Sequence, residues 1–165
     1  MKTVEARVNG LILEHKTQQN IVILRETEGE RILPIWIGSG EAQAIRRILS
    51  EEAFPRPLTH DLIHIVIEGL KAKITRVVIA DLRENTFYAS ITISVNGSEM
   101  EIDSRPSDAI ALAVRTSAPI FAADDVIDES SIEFEHEVED TEEVVEKFKD
   151  FLDQVTPEDF AKGEE

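Results

Sequence analysis

The chain of 165 residues contains no cysteine, which rules out disulfides, thiolate metal sites and a cysteine nucleophile. It also lacks any apolar run near the roughly 18 residues that a membrane span needs, and its start shows no charged segment leading into a hydrophobic signal stretch. A cytoplasmic location is therefore expected. Positive charge is scarce as well: 17 Lys and Arg face 34 Asp and Glu, a net charge of −17. Residues 129–165 hold 15 of those acids against Lys147, Lys149 and Lys162, so residues 1–128 are much closer to balance. Broad, tight binding to nucleic acid rests on Lys and Arg displacing counterions from phosphates, and an acidic tail opposes it.

What is present suits a folded domain. Hydrophobic residues make up 42% and charged residues 31%, and the length allows one domain with a substantial core. The expected class is α+β: a single domain over residues 1–130, with antiparallel or mixed sheet meanders and three main helices packed on them. An acidic tail over 131–165 follows it. Strands are predicted at 3–13, 20–26 and 31–38, then at 73–83, 86–95 and 99–103, where β-branched residues alternate between polar turns. The Asn96-Gly97 pair marks the tightest of those turns.

Helical spacing appears after Gly38, where Ala44, Ile45, Ile48 and Leu49 share a face. A second helix is predicted from an N-cap at Thr59 to about Lys71. A third starts at Pro106, because Arg105, preceding proline, avoids the helical region. Residues 118–130 suggest a short strand and a turn or small helix, and "SIEFEHEVE" an exposed strand. In the tail, Val144, Val145, Phe148, Phe151, Leu152 and Val155 fall on one helical face, a stripe that could dock on a protein partner through 141–155.

Three polar clusters interrupt this pattern. In "WIGSGEA" a strand runs through small residues into a helix whose first amides could meet an anion, and Glu41 should lean toward the buried side. The plain alternative is a first-turn acid complementing the helix dipole. In "RPLTHDLIH", His60, His64 and Glu68 form one stripe flanked by Asp61, fit for a general base or a divalent ion, or simply a solvated face. In "EIDSRPSDAIALAV", Asp103, Arg105 and Asp108 crowd a helix start. They could hold a metal and a phosphate, or pin the helix through ion pairs and amide contacts. Arg56-Pro57 before Thr59 and Asp61 echoes Arg105-Pro106 before Ser107 and Asp108, which suggests two similar helix ends turned toward one cleft.

Taken together, "LPIWIGSGEAQAI" at 33–45, "FPRPLTHDL" at 54–62 and "IDSRPSDAIALAVR" at 102–115 resemble the bifunctional nuclease domain family, named for activity on both RNA and DNA. The resemblance implies a compact α+β domain and a homo-oligomer, expected to be a dimer. It transfers no agreed catalytic assignment. The motif positions make His60, Asp61, Asp103, Asp108 and Glu41 the candidate catalytic residues, and Arg56, Arg105, Thr59 and Ser107 the candidates for binding substrate. A divalent ion, Mg²⁺ or Mn²⁺, is expected on Asp103 and Asp108, helped by Glu41 or Asp61. In that scheme the ion activates water for phosphodiester hydrolysis, His60 moves the proton and Arg56 and Arg105 hold phosphate oxygens. The competing expectation is a noncatalytic regulatory or interaction module whose helix ends bind a small anion.

Overall fold

Two antiparallel meanders meet on one short strand. In the structure, a computed structural model that describes residues 1–131 together with Asp150 and Asp153, β1 (Thr3–Glu14), β2 (Gln19–Glu26) and β3 (Ile32–Ile37) form the first meander. The second comprises β4 (Ala72–Arg83), β5 (Thr86–Val95) and β6 (Ser98–Ser104). β7 (Ile120–Ala123) lies between them, antiparallel to β1 and parallel to β4, and makes a seven-stranded mixed sheet ordered β3-β2-β1-β7-β4-β5-β6. The six strands predicted for the two meanders are present; that they share one sheet follows from β7.

The turns explain the registers. Asn96 and Gly97 both take positive φ, as the tight hairpin between β5 and β6 requires. The β4–β5 turn uses the same left-handed geometry at Glu84 and Asn85, without a glycine. β2 is buried on both faces through Ile21, Val22, Ile23 and Leu24, which accounts for its continuous apolar run.

The helices are α1 (Ser39–Leu49), α2 (Thr59–Gly69), α3 (Pro106–Thr116) and α4 (Asp124–Ser130). α3 is the central one. It touches α1, α2, β4 and β5, and its Ala109, Ile110, Ala111, Leu112 and Ala113 are all buried. A helix apolar on nearly every side belongs in such a position, where each buried Ile or Leu contributes about 1.5–3 kcal/mol. Pro106 opens α3 as expected, whereas Thr59 is the first helical residue of α2 and Leu58 its cap, one position earlier than predicted. α4 packs against β3, β4 and β7 and is tied by Arg31, which reaches Glu26 at 2.8 Å and Asp124 at 2.9 Å.

Asp150 and Asp153 are helical, and Asp153 lies 3.8 Å from Lys16 of the β1–β2 turn. The rest of the predicted 141–155 helix and the strand predicted in "SIEFEHEVE" lie outside the described residues. Among the described residues, no helix is long and apolar enough to cross a membrane.

Candidate functional site

The starts of α2 and α3 meet, as the echo between the two Arg-Pro segments predicts. His60 is in the first turn of α2 and its side chain is 11% exposed. Its Nε2 lies 2.8 Å from Oδ1 of Asp108, in the first turn of α3. With Asp108 ionised, Nε2 carries the proton and donates it, which leaves the lone pair on Nδ1. Of the two structural expectations for Asp108, the ion pair is the one present: its other oxygen, Oδ2, accepts from Arg105 Nε at 2.8 Å, and no side-chain hydrogen bond caps α3.

Arg105 extends the chain of contacts to α1. Its Nη2 donates to Glu41 Oε1 at 2.8 Å, so the guanidinium bridges two carboxylates while its side chain stays 64% exposed. The Asp108 hydrogen bond raises its pKa further above its ordinary value, and the Glu41 contact adds to this against the opposing effect of burial. Glu41 is only 20% exposed, as its leaning toward the buried side implies. A Cβ on Gly38 would collide with Glu41 Oε2; the bare glycine leaves room for the carboxylate to fold back toward the strand end. The result is a continuous line, Glu41–Arg105–Asp108–His60, drawn from α1, α3 and α2.

Asp61 does not join that line. It faces Arg47 of α1 and Arg115 of α3, accepting from Arg115 Nε at 2.8 Å and from the Leu58 amide at 2.9 Å, and it also pairs with Arg47 Nη2. Burial opposes its charged form. The Arg47 guanidinium, the Leu58 amide and Arg115 outweigh that and hold the carboxyl well below the usual range. Arg47 and Arg115 have side chains 7% and 3% exposed, so this is a largely buried two-arginine clamp. Neither was singled out from the sequence. Arg115 carried a signal, since it ends a helix that is otherwise apolar and returns Nη1 to the Ala111 carbonyl at 2.8 Å.

A groove of about 1310 Å³ runs between α1, α2, α3, β5 and β6. His60, Asp108, Arg105 and Glu41 line it, with Asp103 and Thr59, while Ile63, Ile67, Ile91, Ile93 and Leu112 supply its apolar wall. Asp103 projects from β6 opposite Ser90, exposed, with no ion pair among the described residues. Arg56 stands exposed on the connection into α2; neither it nor the groove-lining Arg46 pairs with an acid among the described residues. Ser107 goes elsewhere. It is buried and faces a second cavity of about 590 Å³ that also contains Trp36, Asn85 and Phe87, with Arg105 on the wall of both. His64 pairs with Glu68 at 3.3 Å, apart from the His60 contact.

A resident divalent ion would need carboxylate oxygens free of other partners. Both Asp108 oxygens are engaged by His60 and Arg105, and Asp61 is held by its arginines. Among the described residues no three His, Asp or Glu side chains are grouped to hold an ion. The geometry therefore fits an arginine-bridged network rather than the divalent centre expected on Asp103 and Asp108.

Comparison with known proteins agrees with the motifs. The bifunctional nuclease domain model matches residues 22–135. An uncharacterized protein of Mycobacterium tuberculosis is 41% identical over 162 residues, covering 94% of this chain and 97% of its own. Bifunctional nuclease 1 of Oryza sativa subsp. indica and Bifunctional nuclease of Oryza minuta are each 23% identical over 124 residues. That match covers 73% of this chain but 38% of each rice protein. With the three motifs gathered around one groove and the matched model spanning most of the domain, the chain belongs to the bifunctional nuclease domain family.

Proposed function

We propose that the chain hydrolyses phosphodiester bonds in flexible, single-stranded RNA and DNA. The observation that carries the reading is the His60–Asp108 pair lining a groove with Arg105 on its wall. An ionised aspartate that fixes one imidazole nitrogen as a donor leaves the other as a base. In the proposed step Nδ1 of His60 takes a proton from water as its oxygen attacks phosphorus, and the departing ribose or deoxyribose oxygen collects a proton from solvent. Arg105, together with Arg46 and Arg56, binds the phosphate oxygens. Thr59 and Asp103 border the same space and are assigned to positioning substrate; Asp61 sets the start of α2.

One observation favours a second, noncatalytic reading. Glu41, Asp61 and Asp108 are all matched by arginines, so the network could serve as a lock that fixes the helix starts while the groove binds a small anion. Cleavage of labelled single-stranded DNA and RNA separates the two. The assay runs with Mg²⁺, with Mn²⁺ and with chelator, on the unmodified chain and on His60→Gln and Asp108→Asn. General-base catalysis predicts a loss of roughly 10²–10⁴-fold in both variants with folding intact. Cleavage that persists in both sinks the assignment, and absence of cleavage by the unmodified chain under all three conditions supports the lock.

A further inference from the structure

The start of β2 turns a polar side chain inward. Val22 and Leu24 belong to the core, and by the alternation of a strand Asn20 points the same way. Asn20 is only 8% exposed, lies opposite Ile37 of β3, and its carboxamide makes no hydrogen bond among the described residues. Ser107, in the first turn of α3, is a second residue of this kind: it is 6% exposed and its hydroxyl is equally unengaged among the described residues. Buried polar groups ordinarily find a partner, and leaving one without is costly. Both of these border the second cavity, whose volume of about 590 Å³ is that of a small-molecule site.

The rest of the lining says which molecule. α1 and α3 both begin at this cavity, after Gly38 and Arg105, and no side chain caps either helix, so their first amides are open to an anion. Gln19 and Asn85 add carboxamides to that of Asn20, and Trp36 and Phe87 add aromatic rings. In a chain with 34 acids, no Asp or Glu is among the described residues that line this cavity, and Arg105 is their single charge. Arg105 gives Nε to Asp108 and Nη2 to Glu41, while its Nη1 makes no hydrogen bond among the described residues.

We infer that the second cavity binds one nucleotide, its base against Trp36 and Phe87 and its phosphate at Ser107 and Arg105 Nη1. A carboxamide presents a donor beside an acceptor, which is the pattern along the edge of a nucleobase, and Asn20 is placed to read it. Aromatic rings offer the faces on which bases stack. A sugar would call for carboxylates to accept from its hydroxyls, and a purely apolar ligand would leave Asn20 and Ser107 as they are. A bare phosphate would use neither the rings nor the carboxamides. The nucleotide is either free or the end of a strand whose next phosphate lies in the groove, since Arg105 stands on the wall of both cavities. Binding here needs no hydrolysis, so the inference stands apart from the nuclease reading.

Trp36 is the single tryptophan of the chain, so its fluorescence reports on this cavity alone. The full chain, in chelator, is titrated to millimolar concentration with adenosine monophosphate, uridine monophosphate, the two nucleosides, inorganic phosphate and a short single-stranded oligonucleotide. Calorimetry runs alongside. A saturable change with a mononucleotide, tighter than with its nucleoside or with phosphate, is expected for a free ligand; saturation with the oligonucleotide alone assigns the base to a strand. Asn20→Leu, close to asparagine in shape, should weaken binding of base-containing ligands roughly tenfold. Ser107→Ala should weaken the mononucleotide or oligonucleotide several-fold and leave any nucleoside binding unchanged. No fluorescence change and no heat with any probe overturns the inference, as does phosphate binding as tightly as the nucleotides. Unchanged affinity in both folded variants also overturns it. If Asn20→Leu fails to fold, Ser107→Ala decides. Loss of cleavage with this binding intact would count against the nuclease reading only.

Discussion

Asp61 and Arg115, 54 positions apart, are joined by a 2.8 Å hydrogen bond from Nε to Oδ1, and Arg47 pairs with the other oxygen of the same carboxylate. One acid thereby fastens α2 to both α1 and α3. Removing its charge leaves two guanidiniums crowded together in a largely apolar setting. Breaking a fully buried pair costs about 3–5 kcal/mol, and the 22% exposure of the Asp61 side chain moves the expectation for Asp61→Asn to the lower end, about 3 kcal/mol. Urea unfolding at neutral pH measures it; a loss well under 1 kcal/mol would contradict the clamp.

The same carboxyl sets a dependence on acid. Its folded pKa lies far below the unfolded value of about 3.9, so the stability it contributes is complete above that value and is lost as pH falls toward the folded one. The gap in stability between the unmodified chain and Asp61→Asn should be constant from neutrality to about pH 5 and narrow below about pH 4. A gap that widens in acid would show the sign to be wrong.

Arg115→Lys tests the shape of the contact rather than its charge. Arg115 serves Asp61 through Nε and the Ala111 carbonyl through Nη1, two directions that one ammonium cannot satisfy together. A loss of about 1–2 kcal/mol is expected at a site this buried. Full retention of the thermal midpoint would mean the planar fork is dispensable.

Gly38→Ala should act on Arg105 without unfolding the domain. The added Cβ displaces Glu41 Oε2, the tip of a flexible side chain, so the cost in stability is small, but Arg105 keeps only Asp108. The Arg105 Nε–H nuclear magnetic resonance signal should shift in Gly38→Ala and in Glu41→Gln alike. An unmoved signal in both would mean that Glu41 does not hold the guanidinium.

At the β4–β5 turn, Glu84 takes a φ of 50°, a left-handed conformation that costs most L-residues about 1 kcal/mol. Asn tolerates it better, so Glu84→Asn should raise the thermal midpoint by roughly 1–3 °C. A lowered midpoint would indicate that the Glu84 side chain makes a compensating contact.

Much of this architecture was readable before any coordinates. Alternation marked six strands, Asn96-Gly97 marked its hairpin, and Pro106 located the start of α3 because proline fixes the backbone there. The meeting of two Arg-Pro helix starts was visible as a faint repeat and became the His60–Asp108 contact. Periodicity shows that a helix has two faces and does not say which one turns inward. In α2 the pull of Asp108 and of the Arg47–Arg115 clamp decides the matter against hydrophobicity, so His60 is buried and Asp61 and His64 partly so, where a solvated face was one of the alternatives. Asp61 was grouped with the catalytic candidates because its partners, distant in sequence, leave no local trace beyond an arginine at the end of an apolar helix. The joining of two meanders was hidden for a similar reason: four residues, Ile120–Ala123, form it through pairings with strands far along the chain.

That last strand has a consequence for biosynthesis. Each three-stranded meander can assemble from neighbouring segments as it leaves the ribosome, but the edges that β1 and β4 offer to β7 stay open until residue 123 has been made. During that interval the nascent chain exposes two unsatisfied sheet edges, which makes the stretch of translation before β7 the period in which chaperone protection matters most.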